Sequence, residues 1–199
     1  MTASPTLRSL LQMPTEPAPL SKSALILIDC QNTYREGVMQ LENVEMALAH
    51  CVSMLDRARE AGAPVFHIRH EAGAGTPYDT AAPIGQIAAP VTPRPNEKVI
   101  TKNYPSSFEK TTLDADLKAL GITDLVLVGF MTHVCVNSTA RVAFNLGYRP
   151  TVVANATATR SLPGVDGRSI PAEEVHEAAI AALGDIFAIV VPDESHVPR

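Results

Sequence analysis

The chain has 199 residues, 46% of them hydrophobic and 19% charged, with a formal net charge of −5. That length suits one domain with a sizeable core, and that composition excludes a disordered chain. The acidic balance argues against a nucleic-acid surface, and no apolar run approaches the ~20 residues that cross a bilayer.

Residues 1–22 read as an N-terminal arm, without the long apolar stretch of a signal peptide. Leu7, Leu10 and Leu11 are spaced for one helical turn that docks on the body or on a neighbouring subunit. Pro14, Pro17 and Pro19 then give an extended connector. Residues 23–199 form the folded domain. Ala24–Ile28 is all apolar, as expected of a strand covered on both faces of a parallel sheet, and Asp29 stands where it ends. The residues that follow lack a glycine-rich phosphate cradle, so a dinucleotide fingerprint is absent. Leu41–Ala61 carries a helical stripe of Val44, Leu48, Cys51 and Leu55, closed by Gly62. Pro64–Arg69 is the next strand. His67 and His70 would ligate one metal only if the strand stopped between them, because positions three apart face opposite sides. There is no His-Glu-x-x-His and no cysteine pair at zinc spacing, so no metal or other cofactor is expected.

Glu71–Asn96 is rich in proline, glycine and alanine, and a loop this long is expected to cover a pocket or meet another subunit. Glu97–Thr101 resumes the sheet and delivers Lys102 at its end. A turn with Ser106, Ser107 and Phe108 leads into a helix closed by Gly121. Neither serine lies in a Gly-x-Ser-x-Gly elbow. Leu125–Val128 is a second all-apolar strand, bounded by Asp124 and Gly129. From Val134 the spacing turns helical as far as Gly147, so Cys135 lies where strand gives way to helix. Backbone N–H groups and the helix dipole favour an anion there, which marks this thiol as a candidate nucleophile.

Tyr148–Ala154 is the next strand, with Asn155 at its end. A loop over Thr157–Arg168 follows. A helix opens at Pro171, with Glu173 and Glu174 in its first turn as the dipole prefers, and stops at Gly184. Ile186–Val191 is the last strand. The alternation predicts an α/β fold: a single three-layer α-β-α, Rossmann-like domain with a six-stranded parallel sheet and helices on both faces. The three cysteines make no disulfide framework, which suits the reducing cytoplasm.

Asp29, Lys102 and Cys135 end three separate strands and are therefore expected along one sheet edge. The stretches ALILIDCQN, TKNYPSSFEKTTL and VLVGFMTHVCVNSTARVAFNLGY, with VVANATATR after it, resemble the isochorismatase-like cysteine hydrolases. The resemblance spans roughly residues 22–192 of the chain. It implies an Asp29–Lys102–Cys135 catalytic triad and a non-proline cis peptide at Phe130–Met131. It also implies an oxyanion hole from the backbone N–H groups of Met131 and Cys135. The implied reaction is hydrolysis of a C–N bond in a small amide, ureido or carbamoyl compound, through a thioester. Nicotinamidases of the superfamily hold a metal through Asp-x-His; the matching residues here are Arg69-His70-Glu71-Ala72-Gly73, which implies the metal-independent branch. Isochorismatases proper lack the cysteine. Asn155 and Val142 stand where the family often has aspartate. Tyr34, Phe108 and His133 are candidate walls of a substrate pocket. A homo-oligomer is expected from the apolar arm and long loop. Two rival classes remain: a non-catalytic homologue acting as a binding or structural subunit, and a thiol redox protein with Cys30 as resolving cysteine.

Overall fold

The computed structural model describes residues 4–199. In chain order the elements are α1 (Leu7–Leu10), β1 (Ser23–Ile28), α2 (Val44–Glu60), β2 (Val65–His70), β3 (Lys98–Lys102), α3 (Leu113–Ala119), β4 (Asp124–Phe130), α4 (Asn137–Asn145), β5 (Arg149–Ala158), β6 (Leu162–Pro163), β7 (Ser169–Ile170), α5 (Ala172–Asp185) and β8 (Ile189–Val191). Six strands form one sheet in the order β3-β2-β1-β4-β5-β8, and every pairing in it is parallel. The expected architecture is therefore present. β6 and β7 form a small antiparallel hairpin inside the loop after β5.

Every residue of β1 and β4 is buried, because alternate side chains feed two separate cores. Leu25 and Leu27 of β1, with Val126 and Val128 of β4, pack under Leu48, Cys51 and Leu55 of α2. Ala24, Ile26 and Ile28, with Leu125 and Leu127, face Leu117, Ala140 and Leu183 of α3, α4 and α5. Each such buried leucine or isoleucine contributes about 1.5–3 kcal/mol relative to exposure. The strand order reverses between β1 and β4, and open α/β sheets bind ligands outside the strand ends at such a point.

The structure corrects several expected boundaries. β5 continues past Ala154 to Ala158 through a bulge: Leu127 pairs with Val152, whereas Gly129 pairs with Thr157. Asn155 therefore sits within the strand, its N–H bonded to the Pro192 carbonyl. The last strand starts at Ile189 rather than Ile186. Phe187 instead packs edge-on against Phe144, with the Arg141 guanidinium 4.1 Å above its ring. α2 begins at Val44 because Asn43 adopts a left-handed backbone conformation. α1 docks on the body through Arg8, which donates to the Ile186 carbonyl at 2.6 Å, and through the Leu7 N–H, which donates to Asp185 Oδ1 at 2.9 Å, while the side chains of Leu7, Leu10 and Leu11 are exposed. Among the described residues, no helix is long and apolar enough to cross a membrane.

Candidate active site

β1, β3 and β4 deliver Asp29, Lys102 and Cys135 to the same edge of the sheet. Asp29 follows β1 in the left-handed region, φ +50°, with its N–H donated to the Ile68 carbonyl. Aspartate tolerates that conformation better than most residues, and it turns the carboxylate out of the strand direction. Lys102 is the last residue of β3, two strands from β1, or roughly 10 Å. Only a long side chain bridges that gap. Lys102 Nζ lies 2.7 Å from Asp29 Oδ2 and donates to Cys135 Sγ at 3.4 Å. All three groups are buried.

Cys135 does not sit in an ordinary α-helical first turn. Thr132–Val136 is a wide π-helical turn, and α4 begins only at Asn137. Such turns recur at functional sites. The N–H groups of Val134 and Val136, on either side of Cys135, both donate to the Met131 carbonyl. The Phe130–Met131 bond is cis. Just before it, Gly129 has φ +111°, and a Cβ there would fall 2.0 Å from the Ile28 carbonyl oxygen. Only glycine lets β4 pass this close to β1, immediately beside Asp29.

Electrostatics correct one expectation. The turn was expected to hold a stabilised thiolate. Instead burial, then the Asp29 charge, push the Cys135 thiol up to about 12 against the pull of Lys102. Burial also pushes the Asp29 carboxyl up, opposed by Lys102. The ammonium itself would be lowered by burial, but Asp29 and Cys135 outweigh that and raise it. These shifts favour a neutral thiol beside a protonated amine, and neither oxygen of the Asp29 carboxyl group has a well-aligned hydrogen bond. A buried oxygen in that state is a ready proton acceptor.

The wall candidates separate. Tyr34 is buried, edge-on to Phe130 and to Tyr78, and its hydroxyl donates to that of Tyr78 at 3.4 Å. Tyr78 also meets the His70 ring edge-on at 4.9 Å, and burial, more than the nearby triad, raises the pKa of its hydroxyl. It is the residue that sequence reading missed; its signal was being the sole aromatic of the 71–96 loop. Phe108 shares a buried cluster with Cys135. It stacks on Tyr148 at 5.6 Å within the α3–α4 core. His133 is half-buried and bonds through Nδ1 to Thr159, and burial followed by the Arg160 charge lowers its pKa.

His67 and His70 diverge as strand alternation requires. His67 Nε2 meets Glu97 at 2.9 Å, where Arg59 also clamps that carboxylate, while His70 turns to Lys102. Among the described residues no three acidic, histidine or cysteine groups are placed to hold a metal. Cys30 lies with Cys51 rather than with Cys135, so a resolving thiol for Cys135 is not in place. A cavity of about 540 Å³ lies on the β5 side of the nucleophile turn, lined by Glu42, His50, Asn155, Thr159, Glu173 and His176. Thr132 connects to it by hydrogen bonds with Thr157 and His176.

Residues 23–195 match the isochorismatase domain family model. The chain is 37% identical to the secreted isochorismatase effector Isc1 of Verticillium dahliae, over 92% of this chain and 95% of that protein. It is 31% identical to the ureidoacrylate amidohydrolase RutB of Rhizobium rhizogenes, over 73% of this chain and 75% of that one. The crystal structure of an isochorismatase from Pseudomonas putida KT2440 is similar with a TM-score of 0.94 and 38% identity, covering 98% of this chain and all of that chain.

Proposed function

The chain belongs to the isochorismatase family, and on that premise we propose that it is a cysteine-dependent hydrolase of a C–N bond in a small amide, ureido or carbamoyl compound. The observation that carries the reading is one buried cluster of carboxylate, ammonium and thiol, with Lys102 Nζ 2.7 Å from Asp29 and 3.4 Å from Cys135. The relative named as an amidohydrolase supports the C–N assignment.

Because the resting thiol is protonated, attack and deprotonation are coupled. Asp29 takes the thiol proton as Sγ bonds to the substrate carbonyl carbon. Lys102 keeps its proton throughout and balances the negative charge that passes between Asp29 and the sulfur. The N–H groups of Met131 and Cys135 receive the carbonyl oxygen as it becomes an oxyanion, a contribution of about 10²–10³ in rate per donor in comparable sites. Collapse of the tetrahedral species breaks the C–N bond, and Asp29 returns the proton to the departing nitrogen, which leaves as ammonia or an amine. Asp29 then draws a proton from water, which attacks the thioester and frees the acid and the thiol. Tyr34, Tyr78 and His133 border the substrate.

The test follows nitrogen release from a panel of small amides, ureides and carbamates. Turnover of at least one class, lost in Cys135→Ala, is the expected result. Full activity in Cys135→Ala, or no turnover of any compound, overturns the assignment.

A further inference from the structure

Gln31, two residues after Asp29, is fully buried and takes no part in the chemistry above. Its side-chain amide brackets the backbone of His70. Oε1 accepts the His70 N–H at 2.8 Å, and Nε2 donates to the His70 carbonyl at 3.0 Å. Nε2 also donates to the Gly85 carbonyl at 2.7 Å, which ties in the long loop. His70 is thus pinned at the end of β2, the strand that separates Asp29 from Lys102.

His70 is the register partner of Lys102, and its Nδ1 lies 3.2 Å from Lys102 Nζ. An ammonium carries three protons and no lone pair. Three acceptors surround Nζ here: Asp29 Oδ2, Cys135 Sγ and His70 Nδ1. Because Nζ can only donate, Nδ1 is the lone-pair nitrogen of a neutral ring, with the proton on Nε2. Tyr78 packs on that ring. The adjacent Glu71 carboxylate bonds instead to Thr80 and to the Gly73 N–H. A lysine side chain has four rotatable bonds, and a buried third N–H without a partner would turn the head group away from the sulfur.

We propose that Gln31 and His70 form one positioning unit, in which the clamped imidazole accepts the third Lys102 proton and so aims the ammonium at the Cys135 sulfur. The unit rests on the hydrolase reading for its effect on turnover. Its effect on the thiol can be read without any substrate.

The experiment compares His70→Asn, His70→Gln, His70→Leu and Gln31→Leu in two assays: amide turnover, and alkylation of Cys135 by iodoacetamide at pH 8 followed by mass spectrometry. Asparagine places an acceptor oxygen near the Nδ1 position, whereas glutamine places it one bond further out. The expected result is that kcat falls about tenfold or more in His70→Leu, His70→Gln and Gln31→Leu, while KM stays within about threefold and His70→Asn keeps kcat within about threefold. Alkylation should slow in the same order. Wild-type kcat in His70→Leu, a His70→Asn as impaired as His70→Leu, or a loss confined to KM would overturn the proposal. Should His70→Leu not fold, the contrast between His70→Gln and His70→Asn decides. Should the wild type turn over no amide, the hydrolase reading fails on its own, and the alkylation order still decides this one.

Discussion

The two flanks of the Cys135 turn differ in how open they are. On the β1–β3 flank, Asp29, Gln31, His70 and Lys102 hold one another through short contacts, and the groups that would do chemistry are sealed from solvent. On the β5 flank, a cavity of about 540 Å³ opens beside Thr159 and His176, and Arg160 keeps a buried Nε with no partner. Catalytic groups need fixed geometry, whereas a substrate must find unsatisfied donors and acceptors to bind. On the hydrolase reading proposed above, the closed flank serves the reaction and the open flank the choice of substrate.

That division can be broken most severely at its centre. Lys102→Met leaves Asp29 buried without its cation. It should lower turnover by at least about 10³-fold and cost about 3–5 kcal/mol in urea unfolding, as broken buried pairs do. Unchanged stability would mean that water already reaches Asp29. Gly129→Ala strikes the seam between the flanks, where a Cβ collides with the Ile28 carbonyl. A loss of about 2–4 kcal/mol by thermal unfolding is expected, because both φ and space forbid it.

Acidity sharpens the contrast further. With the thiol pushed up to about 12, wild-type alkylation should climb steadily with pH between 7 and 10. A plateau near neutrality would show a preformed thiolate. His70 is lowered to about 4 by burial and by the Lys102 charge, with Glu71 opposing. The folded ring therefore binds its proton less readily than the unfolded one. Its share of stability is complete above about pH 6.5 and is lost as pH falls toward 4. His70→Asn should flatten that part of an unfolding-versus-pH curve. On the open flank effects should be smaller and of another kind: Arg160→Ala should raise KM by about tenfold or less and leave kcat within about threefold. A large kcat loss there would erase the distinction between the flanks. Last, a chelator should change neither activity nor stability.

What the sequence made legible follows from how local each signal is. β1 and β4 announce themselves as apolar runs because both faces are buried, and Asp29, Lys102 and Cys135 can be read as strand-end residues on that basis. The bulge in β5 is invisible, because it depends on pairing with Gly129 and Pro192 far along the chain. Ile186 and Phe187 look like strand residues because aromatic packing against Phe144 uses the same amino acids that sheets do. The stacking of Phe108 on Tyr148 joins residues forty apart, which no local pattern encodes. The leucines of α1 promise a docking face, but Arg8 reaches buried carbonyls that no hydrophobic pattern encodes. Tyr78 and the Gln31–His70 clamp are long-range contacts between segments with no shared periodicity.

The Gln31 clamp has a further meaning for the sheet itself. Asp29 bends the main chain away from β2 just where one more rung of parallel pairing would fall. The glutamine side chain supplies that rung, since its amide offers one acceptor and its donors to His70 as a neighbouring peptide group would. The strand thus ends in its backbone before it ends in its hydrogen bonding. The freed main chain can point a carboxylate at the thiol without opening the seam between β1 and β2. Among the twenty side chains, only the amides carry both a peptide's donor and its acceptor, and of the two only glutamine adds the extra methylene of reach.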